Sequence, residues 1–289
     1  MRALAMLPLL FSLAACQSGD ADYADDMREQ HDGDAPAATG MTDGADAVRV
    51  RAEWVDYATV GGEAVSGYLA RPEGAEGGLP GVVVIQEWWG LNDNVEAMAR
   101  RLAAQGYAAL AVDLYGGQVA TTPDAAMALM REAMGREDAL TDNLTQAYAY
   151  LTDDLGAPRV GSVGWCFGGM WSLRTALALP DALDAAVVYY GRPVTDADQL
   201  AALSMPVLAL FGGADESIPP DTVAAFEAAL AEAGVEHTVR TYPGAAHAFA
   251  NPSGQAYDAE AAEDAWDRTT AFLAQTLQRA PQATDDVVD

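Results

Sequence analysis

The chain has 289 residues, 43 of them acidic against 15 basic, and its formal net charge is −28 with no lysine at all. A chain so acidic repels polyanions, which argues against nucleic-acid binding, and its 51% hydrophobic content argues against a disordered protein. Setting aside an N-terminal leader and a polar stretch leaves about 240 residues, enough for one α/β domain with a well-buried core. The acidity itself reads as a solvated surface that aids solubility.

Residues 1–16 read as an export signal: Arg2, an apolar run from Leu4 to Leu13, then small residues. The run is too short to span a bilayer. It ends Leu13-Ala14-Ala15-Cys16, which resembles the lipobox of bacterial lipoproteins. That resemblance implies cleavage before Cys16, lipidation of Cys16 and a lipid-anchored place in the cell envelope, facing the periplasm. Gln17 after the cysteine favours, by the same analogy, the outer membrane. The alternative is an ordinary signal with an incidental cysteine. Residues 17–48 hold nine acids and one arginine among Gly, Ala and Pro, the composition of a disordered, self-repelling tether. Residues 281–289 form an acidic tail. With Cys16 lipidated, Cys166 has no disulfide partner, and an unpaired cysteine in an oxidising compartment points to a working thiol.

The folded domain is expected over 49–280. Val50 to Val60 and Glu63 to Ala70 alternate like two strands around Gly61-Gly62, a hairpin signal. Gly81 to Ile85 is uniformly apolar, as in a strand buried on both faces. Asn92 or Asp93 caps a helix running to about Gln105, and Tyr107 to Val112 is the next buried strand. Helices follow at Pro123 to Met134 and Asp138 to Leu151. Val160 to Trp165 is a strand and Met170 to Leu179 a helix. Strands at Ala185 to Tyr190, Pro206 to Phe211 and His237 to Tyr242 alternate with a helix at Pro220 to Ala233, and Tyr257 to Gln278 is a closing helix. Alternating strands and helices imply a mostly parallel sheet covered on both faces, with its chemistry at the carboxyl ends of the strands. Glu87, Cys166, Asp215 and His247 all fall in loops just after expected strands.

Gly164-Trp165-Cys166-Phe167-Gly168 has the Gly-x-nucleophile-x-Gly pattern of a nucleophile elbow between strand and helix. The flanking glycines remove β-carbons that would clash in so tight a turn. The order nucleophile, acid, histidine is that of α/β-hydrolases. Cys166 would attack a carbonyl, His247 would shuttle the proton, and Asp215, preferred over Glu216, would orient the imidazole. Of the other two histidines, His31 lies in the tether and His237 opens a short strand. Trp89, Tyr115, Tyr190 and Phe249, with Trp88 and Trp165, read either as packing or as an apolar pocket for a small substrate.

With Gln86-Glu87-Trp88-Trp89-Gly90, Asp113-Leu114-Tyr115, the elbow, Tyr189-Tyr190-Gly191, the Asp215 loop and Gly244 to Phe249 in this order, the chain resembles the dienelactone hydrolase family over roughly residues 50 to 278. The resemblance implies an α/β-hydrolase fold and a hydrolase opening small lactones or esters through a cysteine acyl-enzyme. It implies that Glu87 contacts the resting thiol and helps deprotonate it. It also implies an oxyanion hole from the backbone N–H groups of Phe167 and Trp88. Where the family holds a substrate carboxylate with an arginine four residues after the histidine, this chain has Asn251. Arg131 and Arg136 fall in the region of a second family arginine without clearly matching it, and Arg192 is a third candidate cation. A neutral ester or lactone therefore fits better than an anionic one. Other readings are a thioesterase or acyltransferase on the same triad, or a non-catalytic binding protein on a hydrolase scaffold. No metal or organic cofactor is expected, and the protein is expected to be a monomer.

Overall fold

The computed structural model describes residues 23–25, 27–37, 49–75 and 77–278. Cys16, the export signal and the acidic tail lie outside the described residues.

Among the described residues eight strands form one sheet in the order β1-β2-β4-β3-β5-β6-β7-β8. The strands are β1 (Val50–Val60), β2 (Glu63–Pro72), β3 (Gly81–Ile85), β4 (Ala108–Val112), β5 (Val160–Trp165), β6 (Ala185–Tyr189), β7 (Val207–Gly212) and β8 (His237–Tyr242). β1 and β2 are an antiparallel hairpin joined to β4, and from β4 to β8 every pairing is parallel. All residues of β3, β4, β5, β6 and β7 are buried. This is the burial that short, uniformly apolar strands without alternation require, since helices cover both faces. The architecture is that of the α/β-hydrolase fold.

Beyond residue 49 the described helices are α1 (Asp93–Ala104), α2 (Pro123–Met134), α3 (Glu137–Ala149), α4 (Phe167–Ala178), α5 (Ala197–Leu200), α6 (Pro220–Glu232) and α7 (Ala259–Leu277). The Asn92 side chain caps α1 by accepting from Asn94 and Val95 N–H at 3.2 Å each, and Thr122 caps α2 ahead of Pro123. The helix expected to run on to Leu151 instead ends at Ala149 and widens into a π turn, Tyr150–Asp154. No described helix is long and apolar enough to cross a membrane.

Two further expectations need correction. The helix after the elbow starts at Phe167, not Met170. Gly168 and Gly169 lower helix propensity, but close packing overrides it. A Cβ on Gly168 would sit 2.3 Å from the Ile85 carbonyl oxygen, and one on Gly169 would sit 2.5 Å from that of Tyr189. The second correction concerns the expected tether. Residues 23–25 and 27–30 are helical; Tyr23, Ala24 and Met27 are buried in the same core cluster as the sheet, and His31 is buried beside them. Their spacing of i, i+1, i+4 and i+8 is one apolar face of a helix, hidden in the composition by the acids on the other face.

Candidate active site

Cys166 sits between β5 and α4 with φ 56° and ψ −117°, a left-handed conformation that L-residues rarely adopt. The turn is held by Cys166 N–H donating to Tyr189 O at 3.0 Å and by Met170 N–H donating to Cys166 O at 3.1 Å. Gly164 is required there, because a Cβ would fall 2.0 Å from Gly168 O. The thiol is buried and directed at the Met27 thioether, Sγ to Sδ 3.6 Å. Burial pushes its pKa up, and the nearby Glu87 charge adds to this; the His31 imidazole and the Phe167 N–H act in the opposite sense.

The loops after β7 and β8 are tied together by Gly213 N–H to Tyr242 O at 2.8 Å and Ala214 N–H to Ala245 O at 2.9 Å. That tie brings Asp215 Oδ2 to 2.7 Å from His247 Nδ1, both residues buried. The other oxygen, Oδ1, accepts from Ser217 N–H at 2.9 Å, Ser217 Oγ–H at 2.8 Å and Ile218 N–H at 3.0 Å. Burial works against the Asp215 carboxylate, but His247 and these donors outweigh it and hold its pKa below the usual range. With Nδ1 committed to Asp215, His247 Nε2 is left buried without a hydrogen-bond partner, facing the thiol.

Glu87 follows β3. Its Oε1 accepts from the Tyr190 hydroxyl at 3.3 Å and its Oε2 from Asn251 Nδ2 at 2.5 Å. Glu87 keeps some exposed surface, yet its carboxylate is crowded by protein. Desolvation raises its pKa against the opposing pull of His31, His247, Tyr190 and Asn251. Its hydrogen bonds therefore go to Tyr190 and Asn251, whereas the thiol points to Met27. A carboxyl whose folded pKa exceeds its unfolded value loses stability as pH rises from the unfolded value towards the folded one. Glu87→Gln is thus expected to melt higher than the parent at pH 7, with the gap closing near pH 4. Thermal melts across that range measure it, and a gap that is constant with pH would refute the assignment.

Phe167 N–H, at the first helical position, has no intrahelical acceptor and lies against the sulfur. Trp88 occupies the second position of the turn closed by Gly90 N–H to Glu87 O, so its N–H is not used by that turn. Tyr115 is buried, its ring 5.6 Å from that of Phe167 and its loop pinned by Asp113, which accepts from Tyr115 N–H at 2.8 Å. Tyr190, at φ 35°, packs 5.1 Å from the His247 ring. Phe249 lies behind it, between Tyr190 and Tyr242, as packing. Trp89 is likewise buried, its carbonyl holding Ala120 N–H at 2.8 Å. Asn251 is buried and committed: beyond Glu87 it accepts from Ser253 N–H at 2.9 Å and Oγ–H at 2.7 Å. Arg131 pairs with Asp25 at 2.5 Å and Arg136 with Glu132 at 3.3 Å; the Arg192 guanidinium lies 5.3 Å over the Tyr23 ring.

His31 was missed. It is 3% exposed, its ring 4.9 Å from Trp88 and 5.8 Å from His247. Its Nδ1 bonds Asp34 Oδ2 at 2.9 Å, and Asp34 Oδ1 accepts from Gln255 N–H at 3.0 Å. The segment is further held by Arg28 to Asp124 at 2.9 Å. One nitrogen each from His31 and His247 and the sulfur of Cys166 lie within 4.8 Å of one another. The signal that could have found His31 is the pairing of an apolar helical stripe with the only histidine in the segment.

Comparison with known proteins agrees with the fold. The model of the dienelactone hydrolase family matches residues 65–277. A protein of Saccharolobus solfataricus named "Putative carboxymethylenebutenolidase" is 31% identical over 252 residues, covering 73% of this chain and 94% of that one. The crystal structure of a "Putative Dienelactone Hydrolase" from Klebsiella pneumoniae superposes with a TM-score of 0.71 at 33% identity, covering 78% of this chain and 99% of that one. A dienelactone hydrolase-like promiscuous phosphotriesterase from metagenomic libraries gives a TM-score of 0.71 at 28% identity, with 78% and 98% covered. A match spanning the sheet from β2 to α7, with an elbow cysteine at the carboxyl edge, makes this chain a hydrolase of the dienelactone hydrolase family.

Proposed function

We propose that the protein hydrolyses a small neutral ester or lactone through an acyl-enzyme on Cys166. The observation that carries this is the Asp215–His247 pair, which leaves Nε2 of His247 facing a thiol on a strained elbow. His247 takes the thiol proton as the sulfur attacks the carbonyl carbon, and returns it to the leaving oxygen. Phe167 and Trp88 N–H groups stabilise the oxyanion. Glu87, its pKa raised, is a second proton acceptor near the sulfur. A neutral substrate is favoured because Asn251 is committed to Glu87 and Arg131 to Asp25. Exposure to p-nitrophenyl acetate is expected to give a burst of p-nitrophenolate and an acetyl group on Cys166, seen by mass spectrometry. Nitrophenolate release with no adduct at Cys166 would sink the reading.

Met27 and Tyr23 stand where a substrate must approach the thiol, so turnover requires the segment 23–37 to move aside. Apparent affinity then scales with the fraction of open molecules. Tyr23→Ala combined with Met27→Ala removes two buried side chains from the docked segment, which costs docking several kcal/mol by order of magnitude. The double variant is expected to raise kcat/KM for p-nitrophenyl acetate by about tenfold, a gain capped once the open state dominates. A fall in kcat/KM would show that the docked segment belongs to the working site.

We further infer that the chain is exported and lipidated on Cys16, from the Leu13-Ala14-Ala15-Cys16 motif. A mature N-terminus lacking diacylglycerol would refute this.

A further inference from the structure

Three donors converge on one point beside the nucleophile. His31 and His247 come from opposite ends of the chain, yet each has Nδ1 bound to a carboxylate: Asp34 at 2.9 Å and Asp215 at 2.7 Å. An Nδ1–H donated to a carboxylate leaves Nε2 with a lone pair and fixes the ring's direction. Both Nε2 atoms are buried without a hydrogen-bond partner, and both residues are at most 3% exposed. Between them lies Cys166 Sγ, with the three donor atoms within 4.8 Å of one another. A single thiol proton can satisfy at most one of two lone pairs, so the arrangement has one acceptor too many for proton transfer alone. An unsatisfied imidazole nitrogen buried in this way carries a desolvation penalty that a ligand would relieve.

We propose that His31, Cys166 and His247 form a binding site for a thiophilic divalent metal ion of the zinc type, which binds at the nucleophile and silences it. Two imidazoles and a thiolate are the donors zinc prefers, whereas magnesium and calcium take oxygen. Bonds of about 2.0 Å to nitrogen and 2.3 Å to sulfur in a tetrahedron put donors about 3.3 to 3.5 Å apart. The three atoms therefore need to draw in by no more than roughly 1.5 Å. As the metal–sulfur bond forms, the Cys166 proton leaves to water; both imidazoles bind through existing lone pairs and lose no proton; a water fills the fourth position. Asp34 and Asp215 are the carboxylates that hold metal-ligating histidines in place. Glu87, held by Tyr190 and Asn251, adds negative charge within reach of both imidazoles, and the Met27 thioether adds a soft neighbour 3.6 Å from the sulfur. Because His31 arrives on the segment 23–37, binding the ion and closing the segment over the thiol are one event. The silencing rests on Cys166 being the nucleophile; the binding does not.

The test uses the full chain, Zn2+ and Co2+, and no substrate. Zinc is expected to bind one to one by calorimetry, and Co2+ to give a sulfur-to-cobalt charge-transfer absorption in the near ultraviolet. Asp34→Asn is expected to weaken zinc by about 10- to 100-fold, and His31→Ala by at least that much, with loss of the cobalt band. His237→Ala, a half-buried histidine on β8, keeps both. Should His31→Ala lose its circular-dichroism signature of folding, Asp34→Asn still decides. Zinc binding that is unchanged in Asp34→Asn, that lacks the thiolate band with cobalt, or that millimolar magnesium displaces would be binding to the acidic surface and overturns the proposal. An active esterase without this zinc site removes only the metal inference; a zinc site in a protein that never acylates removes only the hydrolytic reading.

Discussion

Cys166→Ala is expected to lower kcat/KM for p-nitrophenyl acetate by on the order of 10⁴-fold or more, and to abolish the burst. Loss of a nucleophile in a hydrolytic triad leaves only the oxyanion hole and substrate binding, so the residual rate stays above the uncatalysed one without a covalent intermediate. The size of the effect follows from the elbow. Cys166 carries about 1–3 kcal/mol of backbone strain at φ 56°, and the neighbours of its thiol, Phe167 N–H, the two imidazoles and Met27, are those of a reacting group. Alanine at 166 suffers the same backbone strain and fills the same turn, so the fold is expected to survive. The control is the melting temperature, which should move by only a few degrees. Retained acylation in a folded Cys166→Ala protein would place the nucleophile elsewhere. Cys166→Ser is the sharper companion: it keeps a nucleophilic atom, but its hydroxyl is far less acidic than the thiol and gives up its proton to His247 less readily.

The sheet was legible because its signals are local and strong. Gly81 to Ile85 and Val160 to Trp165 carry no alternation, and that alone distinguishes strands covered on both faces. The elbow was legible because its backbone demands glycine at 164 and 168, where a Cβ would meet a carbonyl oxygen at 2.0 and 2.3 Å. Asp215 was readable from its position after β7, and the tie between the β7 and β8 loops explains why that position reaches His247. Phe167 as a helix start was not legible, because the two glycines that follow weaken helix propensity and only the close approach of β3 and β6 repays them. His31 was not legible for a different reason. Nine acids over residues 17–48 dominate any averaged charge, while the docking is carried by Tyr23, Ala24 and Met27 on one face and by two pairs, Arg28–Asp124 and Arg131–Asp25, whose partners lie about a hundred residues away. Averages over composition cannot see a partner that distant. For the same reason the pairings of Asn251 with Glu87 and of Arg131 with Asp25, 164 and 106 residues apart, are not readable from the sequence.

Asp215→Asn is expected to lower kcat by on the order of 10³- to 10⁴-fold while preserving the fold, and the reason is specific to the hydrogen bonds around this carboxylate. Oδ1 accepts three hydrogen bonds, from Ser217 N–H, Ser217 Oγ–H and Ile218 N–H. An asparagine must keep its oxygen there, because an amide NH₂ in that position would face two backbone donors. The NH₂ group then occupies the place of Oδ2, 2.7 Å from His247 Nδ1, and donates to it. Nδ1 becomes an acceptor, the imidazole proton moves to Nε2, and the nitrogen facing Cys166 can no longer take a proton. Catalysis is lost through the tautomer with little change in geometry, so KM should change far less than kcat. A second readout separates this from general damage. The folded pKa of Asp215 lies below its ordinary value, so its ionised form contributes stability that is fully present above the unfolded pKa and is lost as pH falls through the folded one. The parent is therefore expected to be more stable than Asp215→Asn at pH 7, with the difference shrinking on acidification below about pH 4. A variant that retains more than a tenth of the parent kcat, or whose stability deficit is the same at pH 3 and pH 7, would remove Asp215 from the orienting role and pass it to another acid.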